Sequence, residues 1–314
     1  MIKTMAGNRE CQIELLRTLL MYGICLHHAT QYQLGAFHPL TLGLLFCVDS
    51  FVFISGYYGT RLSIKKVLML EATGVYCAVL GSRFSFPLVL ETFKSYWFLH
   101  SYVFMLMLLP VVNFVFDHEH DVRRMFKIVV PFLFLIFVWG LCIELPVIHR
   151  HTPNPGGLGS FTGLTLTGVY ISARLFVKAD LERNLGVSAL CGIFVVSLLV
   201  SCAGYGWFGH YCSPFAVLAA GSSFCLARRL SFLDSPVLRR ILAIVTPSLF
   251  SVYLLHCAPC GLKFIRGFSQ KMASDGLSEM LSCMIASIVV FAVAMCLDIP
   301  RRLLIWLVGR VPHK

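Results

Sequence analysis

Apolar residues fill about ten long runs of this chain, and short segments between them carry most of the charges and turn residues. A helix needs about 20 largely apolar residues to cross a membrane. The pattern predicts an all-α integral membrane protein with about ten transmembrane helices, near residues 13–34, 39–58, 65–80, 95–116, 126–145, 158–177, 185–204, 211–228, 244–263 and 279–309. The third run is short and contains Glu71, and the last is expected to break near Asp298 and continue as a short interfacial helix.

The composition supports the same fold class. Hydrophobic residues make up 58% of the chain and charged residues only 13%, which excludes both an ordinary water-soluble protein and a disordered one. No polar stretch is long enough to form a separate soluble domain, so we expect one membrane domain over residues 1–314. The first run contains Glu14 and Arg17 and leads into His27 and His28 rather than small residues, which argues against a cleaved signal peptide.

The positive charge of the chain predicts its orientation. The net charge is +11, and the basic residues fall between the apolar runs. If the N-terminus is cytoplasmic, most basic residues lie inside, and those left outside are Arg83, Lys94, Arg150, Lys263, Arg266 and Lys271. This bias predicts a multi-pass protein of the cell membrane (inner or plasma) with both termini in the cytoplasm. Topology accounts for the basic residues, and we expect no nucleic-acid partner.

Two other features leave alternatives open. Cys257-Ala258-Pro259-Cys260 has the spacing of a redox dithiol, but it lies in an apolar run without the usual strand-to-helix context, and most of the 13 cysteines are expected to act as small hydrophobic residues. Whether Cys257 and Cys260 pair stays open. The segment 146–163 is rich in turn residues and either covers a site or only joins two helices.

The first span contains ionisable side chains that a membrane helix normally turns toward the interior of the bundle. Arg17 and His28 are eleven residues apart, which places them on one helix face about 16 Å apart along the axis. Glu14 shares that face and can pair with Arg17. We expect a polar channel in which the imidazole of His28 can act as a general base and Arg17 binds phosphate or carboxylate, or orients Glu14. The alternative is an interfacial arginine that reaches the headgroups and a histidine that bonds to a neighbouring helix.

Several sequence blocks resemble the membrane-bound acyltransferase-3 family, in the family's order. The first block is an arginine and a histidine separated by ten residues, and a weaker match, Gly168-Val169-Tyr170, lies between the YWFLHSY block and the Ser213-Pro214-Phe215 block. The blocks are Arg17 to His28, the VDSFVFISGY segment Val48–Tyr57, the YWFLHSY segment Tyr96–Tyr102 with Pro110 and Asn113 after it, Ser213-Pro214-Phe215, and Tyr253-Leu254-Leu255-His256.

The resemblance implies transfer of an acyl group, usually acetyl, from cytoplasmic acetyl-CoA to a hydroxyl of a cell-surface polysaccharide or lipid-linked sugar. It implies His28 as the catalytic histidine, Arg17 as the arginine that supports the donor and Glu14 as the acid before it, although His27 adjoins the histidine position and could replace it. Members often have two arginines after the second span. Here that loop offers Arg61, Lys65 and Lys66, which either attract the donor's phosphates or serve topology alone.

Residues in the same blocks are candidates for contacts with the acceptor. They are His27, Ser55, Trp97, His100, Tyr253 and His256. Aromatic side chains could stack on a sugar or belong to an interfacial belt, and Ser55 with Gly56 could instead allow two helices to approach closely. Three histidines in separate spans, without a carboxylate pattern, are weak evidence for a metal, and none is expected.

The rival functions are a proton-coupled transporter or flippase of an anionic lipid or sugar, and a non-catalytic assembly protein. Transfer directly to the acceptor and transfer through an acyl-enzyme both remain open.

Overall fold

The computed structural model describes residues 10–143, 160–203, 211 and 213–308. These residues form helices joined by short turns, and no strand occurs among them. The prediction of an all-α fold is confirmed to that extent. The predicted loop at 146–163 lies almost wholly outside the described residues.

The first eight helices follow the predicted runs, except that the run at 39–58 is divided into two helices and the helix at Phe86–Lys94 lies outside every predicted run. They are α1 (Cys11–Gln33), α2 (Pro39–Gly43), α3 (Phe46–Tyr57), α4 (Ile64–Gly81), α5 (Phe86–Lys94), α6 (Trp97–His118), α7 (Val122–Ile143) and α8 (Ser160–Lys178).

The second half departs from prediction at two breaks. Its helices are α9 (Leu181–Asn184), α10 (Val187–Ala203), α11 (Pro214–Arg228), α12 (Pro236–Val245), α13 (Leu249–Cys257), α14 (Pro259–Ser274), α15 (Glu279–Leu297) and α16 (Ile299–Val308). The predicted span at 244–263 is wrong in its bounds, because the apolar helical stretch covers Pro236–Cys257, with a 3-10 segment at Thr246–Ser248, and a new helix starts at Pro259. The expected break near Asp298 is confirmed.

Four helices or helix pairs in the described part of the chain are long and apolar enough to cross a membrane: Pro39–Tyr57, Trp97–His118, Pro236–Cys257 and Glu279–Leu307. The apolar helices α10 and α11 are shorter. Helix α1 has 23 residues, but its charged and imidazole side chains lower its mean hydropathy. The polar residues that mark α1 as a candidate site therefore also weaken it as a span.

Helices α11 and α12 both begin with a capping serine followed by a proline. Pro214 and Pro236 occupy first-turn positions, where the missing N–H has no helical partner to lose. The preceding serines, Ser213 and Ser235, accept hydrogen bonds from backbone N–H groups of the first turn. The serine and proline therefore set the residue at which each of these two helices begins after a turn.

Helix α1 lies at the centre of the bundle, where it packs against α2, α3 and α11 to α15. Helix α8 packs against α3, α6 and α7. Gly56 allows the close approach of α3 to α8, since a Cβ there would lie 2.5 Å from the Tyr170 carbonyl oxygen. The sequence-based expectation that Gly56 permits a close helix contact is thus confirmed.

Basic residues from separate segments meet at one end of the bundle. Arg61 and Arg174 both contact Asp117, at 3.1 and 3.2 Å. Arg228 contacts Glu10 at 3.0 Å, which joins α11 to the start of α1. The loops that sequence analysis assigns to the cytoplasmic side therefore gather on one face.

Candidate functional site

A cavity of about 300 Å³ opens beside the first half of α1, and we name it the inner cavity. Arg17, Met21 and Ile24 line it, and their spacing of three to four residues makes them one helix face. The other segments that close it contribute polar and aromatic residues, among them Ser55, Lys66, Tyr102 and Tyr253. Four residues that the sequence singles out separately, Arg17, Ser55, Lys66 and Tyr253, thus line one space.

The predicted pair of Glu14 and Arg17 is present in the structure. The Arg17 Nη1 atom donates to both carboxylate oxygens of Glu14, at 3.0 and 3.2 Å. Glu14 is buried, while the Arg17 side chain is 30% exposed. Because both contacts use Nη1, the guanidinium has further N–H donors for a ligand in the inner cavity.

The three basic residues after α3 separate into two groups. Lys66 lines the inner cavity, and its Nζ lies 5.8 Å from the centre of the Tyr102 ring. Lys65 and Lys66 also line an adjoining depression together with Arg301. Arg61 lines neither space, since its side chain is 77% exposed and contacts Asp117. The structure therefore places Lys66 in the same cavity as Arg17, Lys65 in the adjoining depression and Arg61 in neither.

A second and smaller space, which we name the histidine pocket, lies farther along α1. His27, His28, Trp97 and Tyr211 line it. Ile24, Val48 and Tyr253 line both this pocket and the inner cavity, so these three side chains form the partition between them. The histidine pocket has a volume of about 10 Å³, which is room for about one water molecule. A donor in the inner cavity therefore reaches His28 only when the partition moves.

The two adjacent histidines have different partners. The His27 Nδ1 atom lies 2.9 Å from the Thr41 carbonyl oxygen, which can only accept, so Nδ1 carries a proton. His28 turns toward α13 instead. Its Nε2 lies 3.7 Å from the Cys257 Sγ, and its ring centre lies 5.2 Å from that of His256. This arrangement brings His256, a predicted acceptor contact, next to His28.

The remaining candidates are dispersed. The His100 Nε2 lies 2.9 Å from the Phe93 carbonyl oxygen, and His100 lines neither space. The Trp97 ring packs against the Tyr211 ring at a tilt of 39°, with ring centres 5.1 Å apart. The Ser55 hydroxyl donates to the Phe51 carbonyl and shares a 3.0 Å hydrogen bond with the Tyr102 hydroxyl.

Sequence reasoning missed two residues of this region. Cys257 lies against both His28 and His256, although its spacing to Cys260 drew attention only to redox chemistry. Both cysteines are free thiols. Asp49 is fully buried, and neither of its carboxylate oxygens finds a hydrogen-bond partner among the described residues. An acidic residue inside an apolar run was the signal that could have found it.

No protein-family model, curated protein or solved structure matches this chain.

Proposed function

We propose that the protein is an integral-membrane O-acetyltransferase that moves an acetyl group from cytoplasmic acetyl-CoA to a hydroxyl of a cell-surface polysaccharide or lipid-linked sugar. One observation carries the proposal. The inner cavity with Arg17 and Lys66 and the histidine pocket with His28 are adjacent spaces with a common wall. A cationic mouth that leads to an imidazole suits a donor whose phosphates and thioester lie at opposite ends.

The donor site follows from the charges at the mouth. Arg17, Lys65 and Lys66 hold the phosphates of acetyl-CoA, and among the described residues neither lysine forms an ion pair with an acidic side chain. The inner cavity beyond them is mostly apolar and accepts the arm that carries the thioester. Its far wall, the partition, is where the thioester meets the histidine pocket.

His28 then acts as the general base. Its imidazole accepts the proton of the acceptor hydroxyl, and the oxygen attacks the carbonyl carbon of the thioester. The carbon–sulfur bond breaks, and the thiolate of CoA takes the proton back from the imidazolium. The products are the acetyl ester and free CoA. Glu14 holds the guanidinium of Arg17 in place through this cycle.

The proposed topology has ten passes in the cell membrane with both termini in the cytoplasm. The gathering of Arg61 and Arg174 around Asp117, and of Arg228 beside Glu10, supports it. Labelling of single cysteines placed at residues 62 and 234 tests this topology, and labelling of either from the outer side contradicts it.

Thermal stabilisation of the purified protein by acetyl-CoA tests the donor site. A ligand present at a hundred times its Kd stabilises the folded state by about 2.7 kcal/mol. We expect a raised Tm for the wild-type protein and a much smaller rise for Arg17→Ala. A folded protein whose Tm does not respond to acetyl-CoA contradicts the proposed function.

A proton-coupled transporter is the second candidate, and the buried carboxylate of Asp49 favours it, because such groups often relay protons in membranes. Reconstituted vesicles distinguish the two functions. A transporter moves its substrate in response to a pH gradient without acetyl-CoA, while a transferase consumes acetyl-CoA without a gradient.

A further inference from the structure

His28, His256 and Cys257 form a compact cluster behind the partition. The Cys257 Sγ lies 3.4 Å from the His256 Nε2 and 3.7 Å from the His28 Nε2. All three ligand atoms lie within 4.8 Å of one another. His256 is fully buried and the other two are partly buried.

Two of these distances suit a shared metal ion, and the third requires the two imidazole nitrogens to close from within 4.8 Å to about 3.4 Å when the ion enters. Zinc binds thiolate sulfur at about 2.3 Å and imidazole nitrogen at about 2.0–2.1 Å, so the S···N separation across a tetrahedral ion is about 3.5 Å. The two observed separations lie on either side of that value. A thiol alone explains the cluster less well, because its single proton can bond only one of the two nitrogens that face it.

The hydrogen bonding of His256 leaves the correct atom free for a metal. Its Nδ1 lies 2.9 Å from the Val252 carbonyl oxygen, so Nδ1 carries the proton and donates it. The lone pair is then on Nε2, which faces the Cys257 sulfur. Metal-binding histidines are commonly oriented by such a bond from the other ring nitrogen.

A tight corner of the backbone holds two of the three side chains in place. Helix α13 ends at Cys257 and Pro259 starts α14. Gly261 lies against the carbonyl groups of Leu255 and His256, where any side chain would collide with the backbone. The ligands from α13 are therefore fixed by the fold, and only His28 comes from another helix.

We propose that His28, His256 and Cys257 bind a zinc-class divalent ion, with a fourth position left for water or substrate. Cys257 binds as the thiolate and releases its proton when the metal enters. The ion occupies the lone pair of His28 that the proposed transfer requires, so zinc inhibits the transferase. This last consequence rests on the proposed function, whereas the binding of the metal does not.

Cobalt substitution in the full-length, detergent-purified protein tests the site directly. After treatment with a chelator, Co²⁺ bound by Cys257 produces a sulfur-to-metal charge-transfer absorption, and Zn²⁺ removes it by displacement. Elemental analysis of the zinc-loaded protein should give one ion per chain. Cys257→Ser retains the size of the side chain and should lose the absorption and weaken zinc binding more than about 100-fold, since even residues that merely orient metal ligands contribute 10–100-fold.

Two matched variants serve as controls. Cys260→Ser removes another free thiol three residues away on α14, and His118→Ala removes an exposed imidazole at the end of α6. Both should keep the absorption and the zinc stoichiometry. An absorption that survives in Cys257→Ser, or a wild-type protein that binds no Co²⁺ and no Zn²⁺, overturns the site.

The inhibitory effect has its own readout. Acetyl transfer should fall as Zn²⁺ is added and recover with chelator, and transfer that is unchanged in a protein with bound zinc overturns the inhibition. Where no acetyl transfer occurs in any metal state, the proposed function fails, and the charge-transfer absorption still decides whether the metal site exists.

Discussion

Ile24 of α1 and Tyr253 of α13 form part of the boundary between two spaces, and each lines both the inner cavity and the histidine pocket. In the proposed reaction the thioester has to pass between them to meet the acceptor hydroxyl. The partition is thus the place where donor binding and chemistry can be separated by mutation.

Ile24→Trp should separate donor binding from acetyl transfer. The larger side chain fills the boundary, so acetyl transfer should fall more than about tenfold while acetyl-CoA still raises the Tm. Overpacking of this kind typically costs 1–3 kcal/mol of stability, and Ile24→Val provides a control that keeps the passage open. Full transfer activity in Ile24→Trp, with the variant folded, contradicts the passage between the two spaces.

Replacement of His28 by glutamine should remove the base and keep the polar surface. A positioned general base typically contributes 10²–10⁴-fold, so we expect kcat to fall by at least about a hundredfold with little change in the Tm response to acetyl-CoA. His27→Gln tests the neighbour, whose Nδ1 is held by Thr41. A larger loss in His27→Gln than in His28→Gln would exchange the roles of the two histidines.

Lys66→Ala should weaken the binding of the donor. A hydrogen bond to a charged group is worth about 1.5–3 kcal/mol, so the KM for acetyl-CoA should rise about tenfold or more with kcat little changed. Arg124→Ala is the control, because that side chain is exposed and pairs with Asp121 away from both spaces. Equal KM values in the two variants would show that Lys66 does not contact the donor.

How much of this site could be read from the sequence depends on the distance between partners along the chain. The pair of Glu14 and Arg17 follows from helical spacing alone, and the structure contains it at 3.0 Å. The contact of His28 with Cys257 requires α1 and α13 to be neighbours, which no local pattern predicts. His100 shows the same limit, since its place in a motif-like block gave no sign that its Nε2 would lie 2.9 Å from the backbone carbonyl oxygen of Phe93.

The bounds of the helices were also only partly predictable from local sequence patterns. A hydropathy window finds apolar runs, and most of the predicted spans coincide with helices. It sums side-chain polarity and ignores that proline lacks the backbone N–H of a continuing helix. Pro247 lies in a 3-10 segment and Pro259 starts a new helix, so the run at 244–263 is not one α-helix, while the window treats it as continuous.

Gly56→Ala should destabilise the protein. A methyl group at this position would lie 2.5 Å from the Tyr170 carbonyl oxygen and 2.8 Å from the Ala173 Cβ, so α3 and α8 must move apart. We expect a loss of about 1–3 kcal/mol, measured as a lower midpoint of denaturation. Gly192→Ala is the matched control, because nothing lies within 4 Å of a Cβ there. Equal midpoints would show that the contact of α3 with α8 is not tight.

Asp298→Ala should be more damaging than loss of a surface pair. Asp298 is fully buried and accepts two hydrogen bonds from Arg301, at 2.6 and 2.9 Å. Removal of one partner of a buried pair costs about 3–5 kcal/mol. Glu91→Ala breaks the exposed pair with Lys94 and should cost less than about 1 kcal/mol. Comparable losses in the two denaturation curves would contradict a structural role for the Asp298 pair at the break between α15 and α16.

The short length of α13 has an electrostatic consequence. The helix stops at Cys257, deep enough in the bundle for its last turn to lie beside His28. Aligned peptide dipoles place about half an elementary negative charge at the C-terminal end of a helix. In the proposed reaction, the positive charge that His28 acquires with the acceptor's proton therefore forms next to the negative pole of α13. In that proposal the backbone of an interrupted span, offset in part by the positive N-terminal pole of α14 at Pro259, contributes counter-charge to the imidazolium.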